Sequence, residues 1–480
     1  MLKERRPDEK GIEKADVRGE DGGAMDSFLT DRIHGIIYGQ AIGDALGLGT
    51  ETMSKKDISQ FYPDGLSHYS QIVQDFDRLH WAVGEWTDDT DMLLCILDSI
   101  LSKKAVDVLD IAFRFHSWAQ GGRGLGRTVY SVLISPGFLR DPHSAAKRVW
   151  EVSGRNSAAN GGIMRTSILG IWEYQFPEKV KYNAEQACKI THYDPRCVGS
   201  CAAVCLAISS LLRRESDMEK LMHEVMAEAV LYDLRIREYF IKAIEEPLEA
   251  LDLDEGLNKG EENKIGYTLK ALSAGFWALK NATSFSDGLL KIIHEGGDAD
   301  SNAAVAGALL GARFGFSDIP HKWVEDIAYE TRLRKKAARF LELIEANSGR
   351  KENLSVSGIS GVFIYSKDPK QLAEWYYKVL GIGYEYKDGC CYHEFYQRDY
   401  GYSGRVSKIR WAILPSRQEG AMPTEKPAVS FRIDDLNRFI VHLKASDVKI
   451  EKTEEAEHGL FAYIHDPEGN RIELFQDKYL

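Results

Sequence analysis

"HEGGDADSNAAVAGALLGARFG", residues 294–315, places Asp298, Asp300 and Ser301 just before a helix built almost entirely of small residues. Small side chains let a second backbone approach such a helix closely. A second acidic helix mouth stands earlier, in "EWTDDTDMLLCILDSI", residues 85–100, where Thr87, Asp88, Asp89, Thr90 and Asp91 run directly into an apolar helical pattern. Thr87 or Asp88 can cap that helix, and acidic residues in a first turn suit its dipole. Three aspartates exceed what capping uses. If the two mouths meet in the fold, Asp88, Asp89, Asp298 and Asp300 crowd one partly buried volume. Unpaired carboxylates are too costly there, so a cation must sit among them. Carboxylate and hydroxyl oxygens without neighbouring Cys or His suit Mg²⁺ or Mn²⁺ better than Zn²⁺. There is room for two ions sharing a bridging carboxylate. Asp91 reads as a helix-start residue or one that supports the ligands from behind.

The chain has 480 residues, too many for one ordinary core, so two or three domains are expected. A net charge of −12 gives no general basic surface for nucleic acid or anionic lipid. No stretch approaches the roughly 20 apolar residues of a membrane span, and the N-terminus lacks a signal-peptide core. Both points lead to an expectation of a cytoplasmic protein away from membranes. Seven cysteines without a spaced framework read as reduced thiols. Cys197, Cys201 and Cys205 share one face of a helical segment, and buried small residues are favoured there over a soft-metal site.

Residues 1–25 mix both charge signs with almost nothing apolar, and are expected to form a disordered tail. Residues 26–348 carry apolar positions at helical spacing between Gly- and Pro-containing loops, whereas few stretches alternate like strands. The polar, turn-rich text around the linker 349–357 marks a boundary, and from 358 to 480 the pattern changes to short alternating runs. There, "SGVFIYSKDPKQLAEWYYKVLG" (360–381) and "AVSFRIDDLNRFIVHLKASDV" (428–448) each read as strand, turn and helix, an internal repeat. Strand-like text follows each copy, and in the second copy "DPEGN" (466–470) supplies hairpin turn residues.

Four blocks in order, "GQAIGDALGLGTE" (39–51), "WTDDTD" (86–91), "NGGIMR" (160–165) and "GGDADSNAAVAGALLGA" (296–312), resemble the ADP-ribosylglycohydrolase family. The resemblance implies an all-α orthogonal helical bundle with a binuclear Mg²⁺ or Mn²⁺ centre, two ions in a cleft. It also implies cleavage of the bond between C1″ of ADP-ribose and an acceptor nitrogen or oxygen. Carried over by position, Thr87, Asp88, Asp89, Asp298, Asp300 and Ser301 are the metal ligands, Ser301 standing where threonine is more frequent. Glu51 matches a glutamate that some members hold near the metals. Adjacent glycines in "NGGIMR" let backbone N–H groups of Asn160, Gly161 and Gly162 approach an anion, which suits a diphosphate. Ser157 and His192 fall near positions that line the ADP-ribose cleft in relatives. Cations there would grip the distal ribose and position a water, with Glu51, Asp88, Asp89 or Asp300 transferring the proton.

Residues 358–480 resemble the glyoxalase and bleomycin-resistance group, the vicinal oxygen chelate superfamily, which implies a small α+β domain of paired βαβββ modules. Its metal-binding members use His or Gln on the first strand of each repeat and Glu on the last. The matching positions here are Gly361, Ala428 and Glu473, and one carboxylate cannot make that site. The module is therefore expected to bind without a metal, to recognise the ADP-ribosylated partner, to hold a small apolar ligand, or to self-associate. Trp375, Tyr376, Tyr377 and Trp411 fit either a ligand cup or a plain core, the core being favoured.

The leading expectation is a metal-dependent ADP-ribosyl hydrolase acting on an ADP-ribosylated protein or small molecule; the charge does not indicate a nucleic-acid substrate. Two other classes stay open: a non-catalytic ADP-ribose-binding scaffold, and a resistance-type protein that sequesters a small ligand in its C-terminal domain.

Overall fold

The computed structural model describes residues 26–256, 265–348, 358–399, 402–416, 428–433, 435–445, 448–456, 458–465 and 471–477. The expected tail, the linker and the "DPEGN" turn lie outside these residues. The chain divides into two compact units, residues 1–349 and 350–480.

The first unit holds fifteen α-helices among the described residues and no named strand. Six of them concern the cleft: α1 (Ser27–Gly47), α2 (Asp88–Lys103), α3 (Pro177–Lys189), α4 (Pro195–Leu212), α5 (Thr268–Asn281) and α6 (Ala299–Phe314). At the centre, α1 and α6 lie antiparallel with their backbones in direct contact. A Cβ added at Gly39 would stand 2.2 Å from the Gly307 carbonyl oxygen, one at Gly43 2.0 Å from that of Ala303, and one at Gly311 2.0 Å from that of Gly35. Gly47 faces Ala299 in the same way. The small-residue character of 294–315 thus has its counterpart in a glycine at every fourth position of α1, one stripe of the helix surface. Fifteen of the 21 residues of α1 are buried, and α5 packs on the far side of α6, where Gly275 admits Val305.

The sequence reading of membrane spans needs one correction. By length and composition α4 is apolar enough to cross a bilayer, yet it is almost wholly enclosed by the bundle. Its cysteines behave as buried small residues: the Cys197 thiol donates to the Ala159 carbonyl at 3.2 Å and the Cys205 thiol to that of Thr166 at 3.1 Å. They brace from behind the segment that carries "NGGIMR".

The second unit is one eight-stranded sheet. Its strands are β1 (Gly358–Ser366), β2 (Glu385–Lys387), β3 (Cys390–Asp399), β4 (Tyr402–Pro415), β5 (Ala428–Arg432), β6 (Ile450–Ala456), β7 (Gly459–His465) and β8 (Arg471–Asp477), in the order β2-β3-β4-β1-β5-β8-β7-β6. Helix α7 (Pro369–Leu380) follows β1, and α8 (Leu436–Ala445) follows β5. This is the expected βαβββ duplication. The copies join antiparallel through β1 and β5, with Gly361 opposite Ser430, Val362 opposite Val429 and Phe363 opposite Ala428. A pseudo-dyad therefore passes through the Val362–Val429 pair. It equates Gly361 with Ala428, and it equates Ala412, which pairs with Phe363, with Glu473, which pairs with Ser430. Ala412 is thus the fourth symmetry-related position, unread in the sequence. The ligand-cup alternative for the aromatics fails: Trp411 and Tyr376 pack with Ala373 and Ile364 between sheet and helix, while Trp375 and Tyr377 are exposed.

The glycine seam predicts a graded response. Gly307→Ala should destabilise the first unit by about 3 kcal/mol, since the new methyl meets backbone that cannot yield. Gly121→Ala, where a Cβ meets nothing within 4 Å, should leave the melting temperature within about a degree of wild type. Equal melting temperatures for the two variants would disprove the reading of the seam.

Candidate active site

Three chain segments deliver carboxylates to one volume. The turn after α1 carries Glu51 and is held from below: Arg78 donates through Nε to the Leu48 carbonyl at 2.8 Å and through Nη2 to the Glu51 carbonyl. The Thr50 hydroxyl donates to Ile293 O at 2.7 Å, tying the turn to the approach to α6. At the α6 mouth Asp298 occupies the N-cap position but makes no capping bond; its Oδ2 accepts instead from Asn160 Nδ2 at 2.9 Å. Capping is therefore not its role. Asp300 Oδ1 accepts from the backbone N–H of Ser301 at 2.8 Å. Carboxylate oxygens of Glu51, Asp298 and Asp300 lie within 4.8 Å of one another.

The α2 mouth closes on the same volume. Thr87 is the N-cap, accepting from Asp89 N, and its hydroxyl reaches Asp300 Oδ2 at 3.5 Å across 213 residues of sequence. Asp88 lies against Gly124, whose positive φ and missing Cβ let the 119–126 loop approach: a Cβ there would sit 2.5 Å from Asp88 Oδ1. Asp91 turns away, its two oxygens accepting from Trp86 Nε1 at 3.0 Å and Trp118 Nε1 at 3.1 Å. Beneath the mouth lies Asp44, the one charged side chain in the buried half of α1. It accepts from Thr87 N and Thr90 N at 2.9 Å each and from the Thr90 hydroxyl at 2.6 Å. It caps another helix's N-terminus from outside. The lone acid amid small apolar residues was the sequence signal for it.

Burial governs the electrostatics. Desolvation, reinforced by Asp298, pushes the Glu51 carboxyl up to about 8, with Arg78 opposing. Desolvation, and after it repulsion from neighbouring carboxylates, Asp44 first for Asp88 and Asp89 and Glu51 first for Asp300, raises all three well above the usual carboxylate range. Burial raises Asp44 to about 6. Among the described residues no lysine or arginine forms an ion pair with Glu51, Asp88, Asp89, Asp298 or Asp300. Asp89 Oδ1 is buried with no hydrogen-bond partner. An all-oxygen donor set with an orphaned buried carboxylate oxygen fits hard divalent cations.

The cluster lines part of a cleft of about 1630 Å³. Ser157, Asn160, Gly161 and His192 line it, the Ser157 hydroxyl lying 3.1 Å from that of Thr128. Gly162 does not line it: it faces the thiols of Cys188 and Cys201, at 3.0 and 3.4 Å from a hypothetical Cβ. Neither glycine of "NGGIMR" has positive φ, so both serve close approach rather than a left-handed turn. Beyond them the sequence reading missed Tyr239 and Tyr267, edge-to-face at 5.6 Å, and Arg196, whose guanidinium is bound by Asp194 and lies 5.6 Å from the Tyr267 ring. Isolated tyrosines carry no spacing signal, although Arg196 ends the "THYDPR" stretch that holds His192.

The family model for ADP-ribosylglycohydrolase matches residues 25–350. The chain belongs to that family. It is 29% identical to the ADP-ribosylarginine hydrolase Tri1 of Pseudomonas putida (strain GB-1), over 65% of this chain and 78% of that one. It is 27% identical to the ADP-ribosyl-[dinitrogen reductase] glycohydrolase of Rhodospirillum rubrum, over 65% and 96%. A solved structure described as an ADP-ribosylglycohydrolase-related protein complex shares the fold, with a TM-score of 0.50, 23% identity and coverage of 66% of this chain and 99% of that one. As a family member the chain is a glycosidic-bond hydrolase of the ADP-ribosyl type, and the family is divalent-metal dependent.

The raised carboxyls make stability depend on pH and cation together. Unfolded, Glu51 ionises near its ordinary 4.5, whereas folded it keeps its proton up to about 8. The cation-free native state thus binds more protons than the unfolded one, and its stability falls as pH rises through that window. A divalent cation displaces those protons, so the Mg²⁺-induced rise in melting temperature should be larger at about pH 8 than at about pH 5. Thermal melts in chelator and in excess Mg²⁺ measure this, and a rise independent of pH would contradict it.

Proposed function

We propose that this chain is a divalent-metal-dependent ADP-ribosyl hydrolase that cleaves the C1″ glycosidic bond between ADP-ribose and an acceptor on a protein or small molecule. The observation that carries the reading is the convergence of Glu51, both helix mouths and Asn160 in one cleft whose volume accommodates a dinucleotide-sized ligand. Thr87, Asp88, Asp89, Asp298, Asp300 and Ser301 would hold two Mg²⁺ or Mn²⁺ ions. When bound, such cations supply Lewis-acid polarisation and orient ribose hydroxyls.

The chain's own groups divide the remaining work. Asn160 fixes Asp298 and so the inner edge of the site. Ser157, Gly161 and His192 orient the ligand along the cleft wall. Glu51 stands on a turn rather than a helix mouth, and its carboxylate takes the proton of the attacking water. That proton then passes to the departing nitrogen or oxygen as the C1″ bond breaks. Arg78, clamping the Glu51 carbonyl, positions this carboxylate. The C-terminal module acts as a binding module without a metal of its own, since Gly361, Ala412 and Ala428 offer no side-chain donor beside Glu473.

ADP-ribose release from ADP-ribosylated arginine and serine peptides, with Mg²⁺, with Mn²⁺ and with chelator, tests the activity and identifies the acceptor. Asp300→Asn and Glu51→Gln should each lower release by about a hundredfold or more. Binding of ADP-ribose without release from either peptide would favour the scaffold reading. Metal analysis of the full chain adds a second test: bound Mn²⁺ should fall in Asp300→Asn and stay unchanged in Glu473→Gln. A loss in the latter would place a metal in the C-terminal module.

A further inference from the structure

Arg165, last residue of "NGGIMR", is fully buried and has no ion-pair partner among the described residues. Its guanidinium lies 4.3 Å from the Phe115 ring centroid, Nη1 meets Met92 Sδ at 3.5 Å, and Nη2 donates to the Thr191 hydroxyl at 2.6 Å. That hydroxyl lies 2.8 Å from His192 Nδ1. The other ring nitrogen, Nε2, is buried without a hydrogen-bond partner among the described residues and lies beside Gly161 in the cleft wall, where a Cβ would stand 3.1 Å from it.

The direction of these bonds follows from what each group can do. A guanidinium only donates, so Thr191 Oγ accepts from Arg165. The hydroxyl could also accept a second bond, but among the described residues its one proton has no acceptor other than Nδ1, so donation to a bare Nδ1 satisfies it and leaves the ring proton on Nε2. Desolvation, followed by the charge of Arg165, holds the imidazole neutral, its pKa lowered to about 3. We propose that Arg165 and Thr191 form a relay that fixes His192 as the Nε2–H tautomer, a neutral donor for an oxygen of ADP-ribose bound in the cleft. Arg165 and Thr191 are positioning residues. The opposite tautomer would present a lone pair to a ligand rich in acceptor oxygens, replacing an attraction by a repulsion. The proposal rests on the ADP-ribose reading of the cleft.

Two measurements on the full chain test it. Calorimetric titration with ADP-ribose should show about tenfold weaker binding for Thr191→Val, which keeps the shape and removes the hydroxyl. Thr191→Ser, which restores the hydroxyl, should stay within about threefold of wild type. Nitrogen NMR of ¹⁵N-histidine-labelled protein, with the His192 signals assigned by their loss in His192→Gln, should show protonated Nε2 and bare Nδ1 in wild type. Both tautomers should appear in Thr191→Val. A protonated Nδ1 in wild type, wild-type binding by Thr191→Val, or equal weakening by Thr191→Ser overturns the relay. Absence of ADP-ribose binding by wild type, with the Nε2–H tautomer present, overturns the reading of the cleft and leaves the relay standing.

Discussion

Backbone contact between α1 and α6 is the constraint on which the first unit depends. Where Gly39 meets Gly307 and Gly43 meets Ala303, no side chain separates the helices, and the distance between them is set by peptide groups alone. Packing of this kind leaves little freedom for sliding or rolling, because a shift of one residue would drive a side chain into backbone. Its consequence appears at the ends of the two helices. The turn bearing Glu51 leaves α1 beside the start of α6, so Glu51, Asp298 and Asp300 are neighbours because two stripes of small residues are in register.

Rigidity matters because the convergence is electrostatically unfavourable. Five carboxylates without an ion-pair partner among the described residues repel one another, and the bundle must hold them in place. Asp44 does part of this from within α1, accepting three hydrogen bonds from the α2 mouth, and Arg78 does another part by gripping the Glu51 turn. The paired indoles on Asp91 remove one more acid from the cluster, so five neighbouring positions that look alike in sequence divide into ligand candidates and framework.

Much of this was legible in residue order. Acidic residues beyond the needs of capping announced both helix mouths, and Asp298, at an N-cap yet making no capping bond, shows why the excess was informative. The duplicated strand–turn–helix text announced the two halves of the second unit, whereas the β1–β5 pairing that relates them emerged only with the strand register. Other features were hidden for physical reasons. A helix buried on all sides has no amphipathic stripe, so the four-residue glycine period of α1 went unread, and α4, noted for its cysteines, was not recognised as long and apolar enough to span a bilayer. Gly162 looked like Gly161, and only the thiols of Cys188 and Cys201 behind it show that it faces the interior. The aromatics of α7 and β4 carried no mark of which side of the sheet they occupy until the strand register assigned it.

The seam also sets a timetable. Gly35 leaves the ribosome long before its partner Gly311, and at roughly 5–20 residues per second the interval is on the order of tens of seconds. Throughout it α1, buried on nearly every side in the finished fold, lacks the helix that covers its glycine stripe. The nascent chain must carry an apolar, glycine-rich helix unprotected through most of its synthesis, which makes its first helix a natural client for chaperones and its folding a late, concerted event.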